Sequence, residues 1–274
     1  MRKLGQLGVA LLCIVGFSSC SSTVSHPSGN TDSLQGLQDI SAPPPKVKVA
    51  SGEVNEMRAD ALKDVATSLG AQSGLHWRSE QINSQLTEKS KTLDQTYDFE
   101  QLLLPHNVLP PVLSEAHQTL NLDGPDTIRL ADVTYEIESQ AKFVTTVPTW
   151  RDYLWMDYPK PPKPDSGILP HNSKEIDIWR KATEEGWNKG IEQANQIYSD
   201  NLSRLERDYK GMVLYRTLRA QNIVSAPFVS RTELGVTGGG ESMNVNDQVL
   251  RITALPALEP NSTRWQPALE TGPR

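Results

Sequence analysis

Cysteine is almost missing from this 274-residue chain: it occurs at Cys13 and Cys20 and nowhere later. The rest of the chain therefore forms no disulfide and holds no Cys-x-x-Cys motif, even in an oxidising compartment. Long apolar runs are scarce too. After residue 17 none approaches the eighteen or so residues that signal a membrane-spanning helix, so no second anchor is expected. Positive charge is in deficit, with 27 Lys and Arg against 33 Asp and Glu and a net charge of −6. Phosphate backbones are bound by clustered Lys and Arg, so direct nucleic-acid binding is not expected. Reactive motifs are absent: there is no Gly-x-Ser-x-Gly and no His-Glu-x-x-His. The run Gly238–Gly240 lacks the Lys-Ser/Thr of a phosphate loop and reads as a turn. Five histidines are scattered, at 26, 76, 106, 117 and 171. His106 and His117, near Glu115 and Asp123, are the best placed for acid–base work, but they read first as surface or capping residues. No spacing supports a metal site and no cofactor is expected.

What is present starts at the first residue. Met1-Arg2-Lys3 is positive, Leu4–Phe17 is apolar, and Phe17-Ser18-Ser19 brings small residues up to Cys20. The run is too short to span a bilayer stably, and a polar stretch follows at once. The pattern resembles the lipobox of bacterial lipoprotein precursors, with Phe17 where Leu is more usual. It implies cleavage after residue 19 and acylation of Cys20 on both sulfur and amine. Cys13 is excluded by bulky Leu11 and Leu12 before it. Two or more acyl chains attach a protein stably without a span. Ser21, in place of Asp, points to the outer membrane, facing the periplasm. Loss of Arg2 and Lys3 with the signal takes the net charge to about −8.

Residues 20–50 are rich in Ser, Pro, Gly and Asn and end in Pro43-Pro44-Pro45. Such a composition buries too little apolar area to offset its ordering entropy, so this segment is expected to be a lipidated, disordered tether. Roughly thirty residues give a coil of about 30 Å root-mean-square span. The folded domain is expected over 51–258, with a disordered tail at 259–274. Met57, Ala61, Val65 and Leu69 make one helical stripe that bends or ends at Gly70 and Gly74. A second helical stretch runs through Trp77, Ile82, Leu86, Leu93 and Tyr97 to Leu104-Pro105. Leu120 and Leu122, then Ile128 and Leu130, alternate on either side of Asp123-Gly124-Pro125-Asp126, which predicts a hairpin. The alternation slips at Ala131-Asp132, so a bulge or short turn is expected there. From Ile176 to Met212 apolar positions recur by threes and fours, a helix of period about 3.6, capped by Asn172 and broken or bent at Gly211. A second pair of strands is expected around Thr237–Gly240. The whole predicts an α+β domain: long amphipathic helices packed with a small antiparallel sheet.

Two groups of residues are candidate interfaces. Trp150, Tyr153, Trp155 and Tyr158 crowd into nine residues before a proline run. Such a cluster suits an interface hot spot and equally a small core beneath a surface loop. Gly186 and Gly190, with Ala194, make a smooth strip on the long helix; tight internal packing is the first reading and a partner's approach the second.

Several longer strings carry a resemblance: Leu69–Asn83 (LGAQSGLHWRSEQIN), Leu93–Leu113 (LDQTYDFEQLLLPHNVLPPVL), Thr149–Pro161 (TWRDYLWMDYPKP), Glu185–Gly238 and Val249–Leu258 (VLRITALPAL). In this order, over about Val54–Leu258, they resemble the DotC/TraI family of lipoproteins from type IVB secretion (Dot/Icm) and related plasmid conjugation systems. The resemblance implies a non-enzymatic subunit of the outer-membrane core complex, placed with a DotD-like lipoprotein and a DotH-like channel subunit, and touching copies of itself in a ring. It carries over no catalytic residue. A cell-wall hydrolase and a ligand-binding lipoprotein remain the alternatives.

Overall fold

The computed structural model describes residues 31–41 and 55–266. Cys20, its leader, most of the expected tether and residues 267–274 lie outside them. The elements are α1 (Leu34–Gln38), α2 (Glu56–Glu88), α3 (Ser90–Thr96), β1 (Val108–Leu109), β2 (Val112–Leu122), β3 (Ile128–Ser139), β4 (Lys142–Phe143), α4 (Trp150–Leu154), α5 (Ser173–Ala220), β5 (Phe228–Gly239) and β6 (Ser242–Ala254). The fold is α+β. Its strands form three separate two-stranded antiparallel pairs, β1–β4, β2–β3 and β5–β6, where one small sheet was expected.

The body is the crossing of α2 and α5. Helix α5 runs 48 residues from an Asn172 cap, whose side chain accepts from the Glu175 amide. It passes Gly211 without a break. Helix α2 likewise continues unbroken past Gly70 and Gly74, where the sequence predicted a bend or an end. These glycines are where the helices meet. A Cβ on Gly70, Gly74, Gly186 or Gly190 would stand 2.2–2.4 Å from a backbone carbonyl oxygen of the facing helix. Four glycines thus let the backbones touch, and that contact offsets their poor helix propensity. At Gly211 the same device admits the backbone of β2: a Cβ there would lie 2.6 Å from the Leu113 carbonyl.

Three apolar clusters surround this axis. One joins Ile82, Leu86, Phe99, Trp150, Leu154, Leu205 and Met212. A second joins Leu62, Ala66, Leu69, Trp179 and Trp187, and α1 closes it with Leu37 and Ile40. Residues 31–41 were expected in the tether. Instead Leu37 and Ile40 are buried, and Trp179 Nε1 donates to the Leu37 carbonyl at 2.9 Å. The third cluster, Leu113, Tyr215, Leu218, Ile223 and Val224, seats the root of β2–β3 on the end of α5. Part of the expected tail is folded as well: the Glu259 amide donates to the Ile223 carbonyl, and the Gln266 amide to the Gln221 carbonyl.

The two long hairpins leave this body. In β2–β3, Leu113 pairs with Ile137 at the root, and Leu120 with Leu130 and Leu122 with Ile128 near the tip. The slip expected at Ala131-Asp132 is not there: the register runs from His117–Val133 to Thr119–Ala131 without a shift, and the one shift in this hairpin is at Val112/Leu113, near the root. The residue between the two pairs, Gln118, takes φ +52°. In β5–β6 the register shifts around Gly235, and Asn246 on the partner strand takes φ +58°. Beyond Leu113 on one strand and before Ser139 on the other, no residue of β2–β3 is fully buried, and none of β5–β6 is.

Candidate interface surfaces

The aromatic stretch is mostly inside. Helix α4 starts at a capping box, with the Thr149 amide donating to the Asp152 carboxylate at 2.6 Å. This short turn drives Trp150 into the first cluster, 1% exposed, where its indole N–H donates to Asp94 at 2.7 Å. Arg151 donates to the same carboxylate oxygen at 2.9 Å and lies 4.2 Å from the Trp150 ring centroid. The hydrogen bond from Trp150 first, and that from Arg151 second, hold the Asp94 carboxyl below its ordinary pKa. Tyr153 stacks on Phe99, centroids 5.9 Å apart, and its hydroxyl donates to Asp208 at 3.1 Å. Burial, helped by the negative charge of Asp208, pushes the Tyr153 phenol up to about 12. Tyr158 is half-buried against the same cluster. Trp155 alone of the four presents much of its ring to solvent.

Two residues that sequence reasoning passed over hold this stretch down. Asn83, buried on α2, donates to the Met156 carbonyl at 2.7 Å and accepts from the Met156 amide at 3.2 Å. His76 Nδ1 lies 2.7 Å from the Tyr158 carbonyl. A carbonyl only accepts, so this nitrogen carries the proton. Residues 156–158 are thus a strap buckled to α2 by two polar side chains, which hydrophobic periodicity does not register.

The uncovered apolar surface lies elsewhere, on the hairpins. Leu120, Leu122, Ile128 and Leu130 form two cross-strand pairs, and the pleat puts both pairs on one face. They are 58%, 75%, 56% and 74% exposed. The other face carries Asn121 opposite Arg129. At the tip of β5–β6, Val236, Met243 and Val245 are similarly open. At the end of α5 a groove runs between Leu103-Leu104-Pro105 and the helix residues Arg216, Arg219 and Ala220, with a volume of about 390 Å³. It continues past Leu104, Pro105 and Arg219 into a second hollow of about 220 Å³ that reaches Pro227 and Val229 at the root of β5.

Residues 56–267 match the TraI family, described as type IV secretory system, conjugal DNA–protein transfer. The chain belongs to this family. Among curated proteins nothing matches it. The match covers both helices of the crossing, the strap and both hairpins, so the uncovered surfaces are part of the family domain. They belong to an envelope secretion component. No helix among the described residues is long and apolar enough to cross a membrane.

Other predicted site residues of this TraI-family chain fall as follows. Gly186 and Gly190 face Thr67 and Ala71 of α2 and are used up inside the chain, so they present no strip to a partner. His117 is exposed on β2, 3.4 Å from Glu115. His106 sits in the left-handed turn before β1, φ +66°, at the edge of the second hollow. No group of three or more His, Cys, Asp or Glu that would suit a metal ion occurs among the described residues. Sequence reasoning singled out buried aromatics because they are large. The exposed hairpin tips carried the better signal, alternation with no helix predicted to cover it.

Proposed function

We propose that this chain is a structural outer-membrane lipoprotein of a type IVB secretion or conjugation core complex. Acylated Cys20 holds it at the periplasmic face, and the segment between Cys20 and the body sets its distance from the lipid. The body docks a DotH-like channel subunit together with a DotD-like lipoprotein and further copies of itself, and carries out no chemistry of its own. The observation that supports this reading is the pair of long hairpins whose apolar side chains the chain leaves uncovered. Patches of this kind on a folded body mark sites of protein association.

The test is Cys20→Ser in cells that carry the whole system. The variant is expected to lose its acyl chains by intact mass, to leave the outer-membrane fraction, and to leave the DotH-like subunit unrecruited. A soluble variant that still recruits that subunit and supports full transfer would refute the anchoring role.

A further inference from the structure

Resting on that structural role, we propose which surface joins one copy to the next. The apolar tip of the acidic hairpin β2–β3 on one copy enters the basic groove at the end of α5 on a neighbouring copy. The tip offers Leu120, Leu122, Ile128 and Leu130 on one face and, at the turn, Asp126 beside Asp123, which is ion-paired to Arg129 at 2.8 Å. The hairpin from Val112 to Ser139 as a whole carries six carboxylates against the single Arg129, with no lysine. The groove offers Leu103, Leu104 and Pro105 as an apolar wall and Arg216 and Arg219 as its rim, with no carboxylate in its lining. Neither arginine has an ion-pair partner among the described residues; Arg216 donates only to the Gln101 carbonyl. Apolar surface matches apolar surface and negative meets positive, as complementary interfaces require.

A chain's own tip does not fill its own groove. Nine residues separate Leu113, buried at the root, from Leu122, and at about 3.3 Å each they carry the tip roughly 30 Å out. None of the residues lining the groove belongs to the tip. The contact is therefore between different patches on two copies. Such a heterologous contact repeats from copy to copy, closing into a ring when the rotation allows. The six carboxylates disfavour the other apolar occupant, a lipid surface, because the leaflets that hold anionic lipid repel them.

The experiment is disulfide capture in cells with the full-length, membrane-attached protein, using Leu122→Cys at the tip and Ala220→Cys at the groove. The double variant is expected to give a ladder of dimers, trimers and larger species on a non-reducing gel, and each single variant a monomer. Adding Arg216→Glu and Arg219→Glu is expected to weaken the ladder roughly tenfold. Further addition of Asp123→Arg and Asp126→Arg is expected to restore it, because every copy then carries the exchanged charges at both ends. A dimer from Leu122→Cys alone means that tips meet tips and overturns the proposal. So does a ladder that appears only after residues 267–274 are removed, since the chain's own tail then fills the groove. Charge reversal that abolishes the ladder without restoration overturns it too. Fractionation of the same cells reads the anchor separately. No ladder from a chain still at the outer membrane sinks this interface alone, whereas a soluble wild-type chain sinks the anchor.

Discussion

Gly190→Ala is a substitution that ordinarily stabilises a helix, by about 1 kcal/mol. Here the sign is expected to reverse. The new methyl would stand 2.2 Å from the Ala71 carbonyl oxygen and 2.7 Å from the Leu75 amide nitrogen. A carbon–oxygen contact across helices settles near 3.3–3.6 Å, so α2 and α5 must part by about 1 Å along this stretch. Parting lengthens the neighbouring contacts at Gly70, Gly74 and Gly186 together, and overpacking of this kind costs roughly 1–3 kcal/mol. After the propensity gain, a net loss of up to about 2 kcal/mol remains, or up to roughly 8 °C in Tm for a domain of this size. A second methyl at Gly186 meets helices already separated, so Gly186→Ala with Gly190→Ala costs less than the sum of the two. Asn188→Ala, exposed two residues before Gly190 on α5, gains a few tenths of a kcal/mol and serves as the control. Thermal and urea unfolding of the detergent-solubilised full chain, followed by circular dichroism, measure all four. A Gly190→Ala variant more stable than wild type by the roughly 1 kcal/mol of the propensity gain would refute the backbone-to-backbone crossing.

Two further substitutions probe the buried polar buckles. Asn83→Leu leaves the Met156 amide and carbonyl buried without partners; a loss of about 1–3 kcal/mol is expected by urea unfolding, with faster proteolysis around residues 156–158. Glu175, 5% exposed, accepts from Arg58 at 2.8 Å and from the His171 amide at 2.9 Å, and the Arg58 hydrogen bond holds its carboxyl below the ordinary glutamate value. A depressed carboxyl stabilises the fold above the unfolded pKa, and that contribution fades as pH drops through the folded one. Glu175→Gln is therefore expected to cost about 1–2 kcal/mol at neutral pH, discounted because Arg58 is about a third exposed, and progressively less below pH 4.5. A difference that stays constant from pH 7 to pH 3 would remove the ion pair from the account.

The long helix was legible because its stripe is large and regular: Trp179, Trp187 and Met212 fall where the period puts them, and all are buried. Helix α2 follows its sequence stripe only in part. Its sequence stripe runs through Met57, Ala61, Val65 and Leu69, of which Leu69 is buried but Met57 is 80% exposed, and the buried face is Leu62, Ala66, Leu69, Gly70, Ser73 and Gly74. The helix packs on its smallest side chains, and a search for large apolar residues points away from them. Gly186 and Gly190 were correctly singled out as a smooth strip, but their partner glycines on α2 were read as breaks. A single sequence does not say which two glycine pairs face each other. The hairpin strands followed from alternation, while their independence from any common sheet did not, because strand pairing beyond a hairpin is a long-range choice. Asn83 and His76 act through hydrogen bonds to backbone more than seventy residues away, and no local pattern announces such a bond.

The proposed anchor and the uncovered hairpins bear on each other energetically. An isolated two-stranded hairpin is at best marginally stable in water, yet β2–β3 and β5–β6 extend 11 to 13 residues per strand with support at their roots. Their four strands contain neither proline nor lysine, the residues that usually blunt an open edge. Such edges fit an environment in which neighbours cover them. The four apolar side chains of one tip, each worth about 1.5–3 kcal/mol when fully buried and already partly covered, supply roughly 4–8 kcal/mol. Association of free proteins costs about 4–15 kcal/mol in lost motion. One tip in one groove is therefore a weak bond in dilute solution. Copies held on one membrane by the proposed acyl chains would already have lost much of that freedom, and their effective concentration would rise accordingly. On this arithmetic the proposed acylation of Cys20 would do more than set an address: Cys20→Ser is expected to dissolve the proposed tip-to-groove contact between copies, and a contact that survives in the soluble variant at the same concentration would refute the coupling.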